Sequence, residues 1–459
     1  MVSFELLLAA FDFALREMAL FAATGFLVLG LNDLLLDLFW IGRTLIRRFT
    51  VHRRHEPADA LSLPKPERPG RLAIFVPAWD ESNVIAQMVG NALARFGDGD
   101  FRLYVGCYPN DPATLAALAP FEDERLRVVV NPRAGPTTKA DGLNRTWDAM
   151  RADEAASGVR FKAVVLHDAE DVVHSAELAI FDLLIERFSL VQLPVLPLID
   201  PKSRWIAGTY ADEFAEAHGK ELVVREAVGA AVPSAGVGCA IARDALDWIT
   251  EVDGEPFDAG SLTEDYELGL RLHRMGGRCA FVRLPAGPGK SVVAIREYFP
   301  PTMEEAVHQK ARWMRGIALS GWDRLGWSGG FAERWMRMRD RQALVAALVL
   351  AMGYLAWLLW AVRSAGMTAG LPPLALSPAL QMMLMVNGLL FLWRVGMRVG
   401  FVTHAYDWRE GLRSIPRILV GNVISLRAAK RALVLYGGGR LAAKWDKTRH
   451  HFPAELPAE

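Results

Sequence analysis

The chain has 459 residues, 52% of them hydrophobic and 14 of them tryptophan, yet 23% are charged, so it is not a membrane bundle throughout. Formal net charge is zero, which offers no pointer to nucleic acid, and no nucleic-acid partner is expected. Three widely spaced cysteines, Cys107, Cys239 and Cys279, contain no CxxC pair, which excludes a disulfide framework or zinc site and fits a reducing compartment.

The first apolar zone, residues 18–41, is long enough to cross a bilayer at roughly 20 residues. It lacks a following small-residue cleavage site and so differs from a signal peptide. Asp33 and Asp37 interrupt it at i, i+4, on one helical face that should meet protein or the interface rather than lipid. Arg43, Arg47, Arg48, Arg53 and Arg54 follow, which marks this end as cytoplasmic. Residues 1–54 thus form a membrane helix with a basic flank, and the Pro- and charge-rich stretch 55–70 reads as a linker.

Residues 71–330 alternate strand and helix signals. Short apolar runs at 71–79, 101–109, 125–132 and 161–169 each end in polar residues or proline, with helix-like stretches between them. This alternation predicts an α/β domain with a mostly parallel, Rossmann-like sheet. Its ligand crevice should lie at the carboxyl ends of the strands. Beyond it, 331–400 holds two further apolar spans, 343–362 and 376–393. Residues 394–450 carry twelve Lys/Arg against three acids, so the 363–376 loop is expected outside and the tail inside. Within the tail region 401–459, residues 414–436 read as a basic amphipathic helix on the membrane surface. The expectation is a multi-pass protein with about three transmembrane helices, amphipathic interface helices and a cytoplasmic catalytic domain in contact with membrane lipids.

Three polar elements stand out. Asp168, Glu170 and Asp171 follow the fourth predicted strand, and such crowded carboxylates call for a cation or donor group. Oxygen ligands of this type suit Mg²⁺ or Mn²⁺; a solvated acidic turn is the plainer alternative. Thr263, Glu264 and Asp265 open a helix, where capping and the helix dipole alone would explain them, or where one carboxylate could act as general base. Gln309, Arg312 and Trp313 share one helical face, suited to a pyrophosphate and a sugar ring or simply to an interfacial anchor. Residues 234–241, SAGVGCAI, lack bulk and would let backbone approach an acceptor, or form a packed turn.

In that order, an acidic strand end, TED and QxxRW before membrane helices resemble the processive branch of family-2 glycosyltransferases, the cellulose, chitin and hyaluronan synthases. The resemblance covers about residues 70–325. It implies a GT-A type domain that transfers a sugar from a UDP-sugar with inversion, with Asp265 as base and Glu264 orienting the site. It further implies donor contacts from Asp80, Asn110, Asp111, Lys139, Asp141, Asn144 and Asp168. Thr263, Gln309, Arg312 and Trp313 would complete substrate binding, and Asp168, Glu170 and Asp171 would hold Mg²⁺ or Mn²⁺. The usual DxD is a DxE here, and no FxVT gating pattern occurs between TED and QxxRW or at 280–300, which speaks against long processive synthesis.

DAEDVVHS (168–175), NDLLLDLFWI and KWDKTRHHFP are similar to the bacterial inner-membrane phage adsorption protein B group. That similarity implies an N-acetylhexosamine donor and a growing surface glycan or exopolysaccharide. The chain ends shortly after HHFP, without the cyclic-di-GMP-binding module of many members, so regulation by that nucleotide is not expected. Three spans are few for a pore, which implies a homodimer or an outer-membrane or periplasmic export partner. The alternatives are a single-sugar transferase acting on a lipid or polyprenyl-phosphate acceptor, and a catalytically inactive scaffold.

Overall fold

The computed structural model describes residues 4–438 and 450–456. Seven strands, β1 (Leu72–Pro77), β2 (Phe101–Cys107), β3 (Leu126–Val130), β4 (Ala163–Leu166), β5 (Leu190–Gln192), β6 (Cys239–Ala242) and β7 (Cys279–Phe281), form one sheet in the order β3-β2-β1-β4-β6-β5-β7. The four strands expected from the apolar runs make the parallel half, with Ile74 beside Leu103 and Val165. β6 then runs antiparallel to both β4 and β5. Alternate side chains fall on opposite faces, as the strand period requires. Ile74, Val76, Leu103 and Val165 join one apolar core, while Ala73, Phe75, Tyr104 and Val164 join the other.

The small-residue stretch 234–241 runs into β6, a mostly buried strand whose short side chains give no bulky alternation to read in the sequence. Gly236 (φ 79°) and Gly238 (φ 56°) sit in left-handed backbone immediately before it. A Cβ on Gly236 would collide with Asp265, so this glycine is what lets the TED carboxylate reach the sheet.

Three helices are long and apolar enough to cross a membrane: Phe4–Thr50, Ala343–Thr368 and Pro378–Ala405. The first is 47 residues long, well beyond the apolar run at 18–41, because a largely apolar segment before that run and a basic one after it continue the helix. It packs on the second where Gly25 meets Val349 and Gly353 meets Phe26, small residues admitting close approach. Asn387 of the third helix donates to the Ala23 carbonyl at 2.8 Å.

Asp33 and Asp37 do face protein. Asp33 pairs with Arg394 at 2.9 Å and with Arg339 at 3.0 Å. Asp37 pairs with Lys220 of the catalytic domain at 2.6 Å and accepts from Trp393 Nε1 at 2.9 Å. The expected tail helix is present as Trp408–Gly437, and one side of it packs on the catalytic domain. It buries Ile424, Ala428 and Ala432 against the helix Met303–Trp313, and its Arg417 is fully buried against Asp212 at 3.1 Å. Its apolar face is thus partly spent on the catalytic domain, and Pro416 sits inside it. Residues 444–449 of the KWDKTRHHFP run lie outside the described residues.

The Lys220–Asp37 pair is the main electrostatic tie between the first membrane helix and the domain. Lys220→Met should cost about 3–5 kcal/mol by stranding a buried carboxylate, and Lys220→Met with Asp37→Leu should recover part of that loss. Thermal unfolding of the detergent-solubilised protein, single against double variant, measures both.

Candidate active site

At the carboxyl end of β4 the chain turns through His167–Asp171. His167 is fully buried, with Nδ1 2.9 Å from Asp171 Oδ2 and Nε2 3.1 Å from Glu177 Oε2. Asp171 Oδ2 also accepts the Asp168 N–H at 3.0 Å, and Glu177 Oε1 accepts the His174 N–H. One imidazole therefore fastens both ends of the turn that presents Asp168 and Glu170. Burial opposes its charge, but Glu177 and Asp171 prevail and raise its pKa to about 10.

Asp168 faces the cavity and pairs with Lys139 at 2.5 Å. Burial works against the Lys139 ammonium, yet Asp168, Glu264 and Asp265 outweigh it and hold its pKa above the ordinary value. Thr138 caps the helix that starts at Lys139 by accepting from the Asp141 N–H at 3.1 Å, which fixes where the ammonium emerges.

Glu264 and Asp265 line the same cavity, and burial followed by repulsion from Asp265 pushes the Glu264 carboxyl up to about 7. The Thr263 hydroxyl does not cap the helix: its side chain makes no capping bond, and Oγ1 is buried without a partner among the described residues. Gln309 Oε1 is likewise buried without a partner there. Gln309, Arg312 and Trp313 all line the cavity, which has a volume of about 400 Å³. Two buried polar atoms without partners in one concave site suit a bound ligand with polar groups of its own.

The other expected contacts are placed differently. Asp171 turns inward to His167 and is fully buried, so it holds the turn instead of facing the cavity; burial first, then Asp168 and Glu170 against His167, push it up to about 6. Asp111 caps the helix Pro112–Leu118 and accepts the Asp80 N–H at 2.6 Å, holding Asp80 in left-handed backbone at φ 56°. Asn110 joins its own loop to Gly135 through two hydrogen bonds. Asp141 accepts from Asn131 Nδ2 at 2.9 Å and pairs with Arg133, and Asn144 binds the Phe257 backbone and Glu255. None of Asp80, Asn110, Asp111, Asp141, Asn144 or Asp171 lines the cavity.

Glu81, Glu297 and His450, outside the expected set, do. Glu81 and Glu170 converge with His450, whose Nδ1 is 3.1 Å from each, and their ligand atoms lie within 4.8 Å of one another. Despite burial, His450 and Lys139 hold the Glu170 carboxyl below its ordinary value. Glu297 is pushed well above its own, first by burial and then by Asp171, Glu170 and Asp168. Two carboxylates and an imidazole at this spacing fit Mg²⁺ or Mn²⁺, with Asp168 beside them. Glu81 follows Asp80 directly, and Asp80 was the nearest expected residue. His450 carried none beyond the HH pair, because a tail histidine far from any strand has no spacing to read.

A family model described as glycosyltransferase-like family 2 matches residues 69–316, just over half of the chain. The chain belongs to that family. Its mixed, mostly parallel seven-stranded sheet with three apolar helices is accordingly a GT-A-like architecture. The chain is 36% identical over 475 residues to bacteriophage adsorption protein B of Escherichia coli K12 and to bacteriophage N4 adsorption protein B of Escherichia coli O157:H7. Each alignment covers 97% of this chain but 63% of the relative's length. Among solved structures it is similar to a mannosyltransferase from Pyrobaculum calidifontis in complex with GDP-Man and Mn²⁺, at 15% identity and TM-score 0.47, over 88% of this chain and 99% of that one. A glucosyl-3-phosphoglycerate synthase from Mycobacterium tuberculosis in complex with Mn²⁺ and UDP aligns over 57% of this chain and 80% of its own, at 17% identity and TM-score 0.32.

For this family member the His167 clamp has a direct consequence. His167→Leu should cost about 3–5 kcal/mol by stranding two buried carboxylates. The stabilisation His167 provides is fully present below its unfolded pKa near 6.5 and is lost as pH rises through about 10. Denaturant unfolding of wild type and variant between pH 6 and 10 checks this, with the difference narrowing at the alkaline end.

Proposed function

We propose that the protein is an inverting glycosyltransferase of the bacterial inner membrane, with its catalytic domain on the cytoplasmic side. It transfers a sugar, an N-acetylhexosamine in our reading, from a UDP-sugar to a growing surface glycan. The observation that carries this is the cavity itself. Asp265, Glu264, Lys139 and Asp168 share it with Gln309, Arg312 and Trp313, and Thr263 Oγ1 and Gln309 Oε1 remain unspent within it. Family membership and the relatives named as phage adsorption proteins support the same reading.

Asp265 accepts the proton of the acceptor hydroxyl as that oxygen forms its bond to the anomeric carbon. The bond from that carbon to the diphosphate oxygen breaks, and its electron pair leaves with the nucleotide diphosphate. Glu264 orients the acceptor, Arg312 holds the diphosphate and Trp313 offers its face to the acceptor sugar. A divalent cation, Mg²⁺ or Mn²⁺, would be held by Glu170 and Glu81 with Asp168, taking the place of the His450 proton between the two glutamates, and would neutralise charge developing on the leaving group. Asp80, Asn110, Asp111, Asp141 and Asn144 act on the donor through the loops they hold. Three membrane helices favour a homodimer or an export partner for the product.

The deciding experiment follows nucleotide diphosphate release from purified protein over a panel of sugar nucleotides with Mn²⁺ or Mg²⁺. Release with one donor, cut ~10²–10⁴-fold by Asp265→Asn, is the expected result. No release with any donor would leave a catalytically silent membrane scaffold as the better reading. The wild-type rate should rise with pH to a plateau above about 7, as the Glu264 carboxyl ionises, and Glu264→Gln should remove that rise.

A further inference from the structure

One wall of the cavity is left unused by the transfer chemistry. The helix Ala207–Glu216 passes through a π-helical turn, Ala217–Glu221, into Leu222–Ala227. Such wide turns carry an extra residue that alters where side chains point, and they recur at functional sites. This one is held from the membrane side. Lys220 pairs with Asp37, and Phe401 of the third membrane helix lies against Gly219, where a Cβ would come within 2.7 Å of the ring.

His218 and Glu221 of the turn line the cavity together with Phe214 and Trp313. His218 is 6% exposed, and its Nδ1 accepts the Val195 N–H at 2.9 Å, so the ring proton sits on Nε2. Nε2 has no hydrogen-bond partner among the described residues. Burial, then Arg283, lowers the His218 pKa to about 3, so the ring stays neutral. The Phe214 ring lies 5.1 Å from His218 and 6.3 Å from Trp313, which joins the imidazole to the aromatic platform of the QxxRW helix.

The cations that line the cavity on this wall are paired with acids, while Arg283, outside the lining, donates to the Gly219 carbonyl at 3.2 Å. Arg225 binds Asp340 at 2.7 and 2.9 Å, and Arg339 binds Asp33 at 3.0 Å and Glu221 at 3.3 Å. A phosphate or pyrophosphate acceptor would need surplus positive charge to offset its desolvation, and this wall offers none. A neutral sugar ring needs flat apolar faces and a few directed polar groups, which it does offer.

We propose that the turn Ala217–Glu221 forms an acceptor subsite for a neutral sugar ring, in which His218 Nε2–H donates to a ring hydroxyl beside the Phe214–Trp313 platform. This rests on the glycosyltransferase reading and narrows its acceptor to uncharged carbohydrate over a lipid phosphate. Glu221, steadied by Arg339, accepts from a second hydroxyl.

Two substitutions separate the donor from the fold. His218→Asn keeps an acceptor for the Val195 N–H but withdraws the Nε2–H donor, whereas His218→Gln restores a donor near the Nε2 position. The probes are neutral oligomers of N-acetylglucosamine, glucose and galactose, and separately a polyprenyl phosphate. Each is followed by tryptophan fluorescence for binding and by transfer kinetics for KM. One neutral oligomer should bind, with His218→Asn raising its Kd and KM roughly tenfold, the scale of one lost hydrogen bond. His218→Gln should recover most of that loss. Donor KM and acceptor-independent nucleotide release should not move in either variant. Unchanged oligomer affinity in His218→Asn, or preferred use of the polyprenyl phosphate, overturns the subsite while leaving the transferase reading intact. Absence of nucleotide release with any donor sinks that reading instead, and oligomer binding then decides the subsite by itself.

Discussion

The site depends on how one crowd of carboxylates is kept together. Glu81, Asp168, Glu170, Asp171 and Glu297 gather at and beside the end of β4, where burial and mutual repulsion would drive them apart or protonate them. Three cations from separate parts of the chain oppose this. His167 works from beneath the turn, Lys139 from a helix N-terminus, and His450 from the tail. Each has its pKa raised against the cost of its own burial. The division of labour follows from position. His167 has both nitrogens beside carboxylates that do not reach the cavity, whereas Lys139 and His450 contact carboxylates that do. A cation that enters would therefore meet Asp168, Glu170 and Glu81, while Asp171 keeps the turn in place.

The second constraint links this site to the membrane helices. Glu216, just before the π-helical turn, and Lys220, within it, are buried and bound to Arg398 at 2.9 Å and to Asp37 at 2.6 Å. The cavity wall is thus bolted to the first and third membrane helices. Buried ion pairs are weak sources of net stability, because desolvation offsets much of the attraction, but breaking one partner is costly. Such a junction resists sliding between domain and membrane more than it adds to folding free energy. Trp335 and Gln342, bonded to Asn32, extend the same polar seam along the first helix.

Much of this was legible in the sequence because it depends on local pattern. Parallel strands read as apolar runs, the three membrane helices read as hydropathy, and the face carrying Asp33 and Asp37 read as a spacing. The antiparallel half was not legible: β5 and β7 are three residues each, and β6 emerges from glycines and alanines. Among the polar residues named through motif order, Lys139, Asp168, Glu264, Asp265 and the QxxRW face line the cavity. Asp80, Asn110, Asp111, Asp141, Asn144 and Asp171 do not, and they bond to backbone or to other side chains within the domain. A motif shows that a polar residue belongs near a site, but it does not show whether the side chain points in or props up its neighbours. His450 and His218 could not be read at all, since each acts only through folding contacts with segments far away in the chain.

The two parts of the cavity differ in a way that bears on the proposed reaction. Around Asp168 and Glu170 the protein accumulates negative charge and meets it with three cations, a balance that a bound divalent ion and a diphosphate could both enter. Around His218 the charges that line the cavity are matched within the protein, and the unspent group is a neutral donor. A charged leaving group and an uncharged nucleophile have those two requirements, and they need them side by side. Glu264, pushed up to about 7 at the meeting of the two regions, lies where the proton of the nucleophile must be managed. In the proposed mechanism that graded electrostatics does more than bind. The diphosphate is disfavoured at the acceptor wall and a neutral sugar has little to gain at the acid cluster, so each substrate has one stable orientation and the hydroxyl arrives at Asp265 already directed.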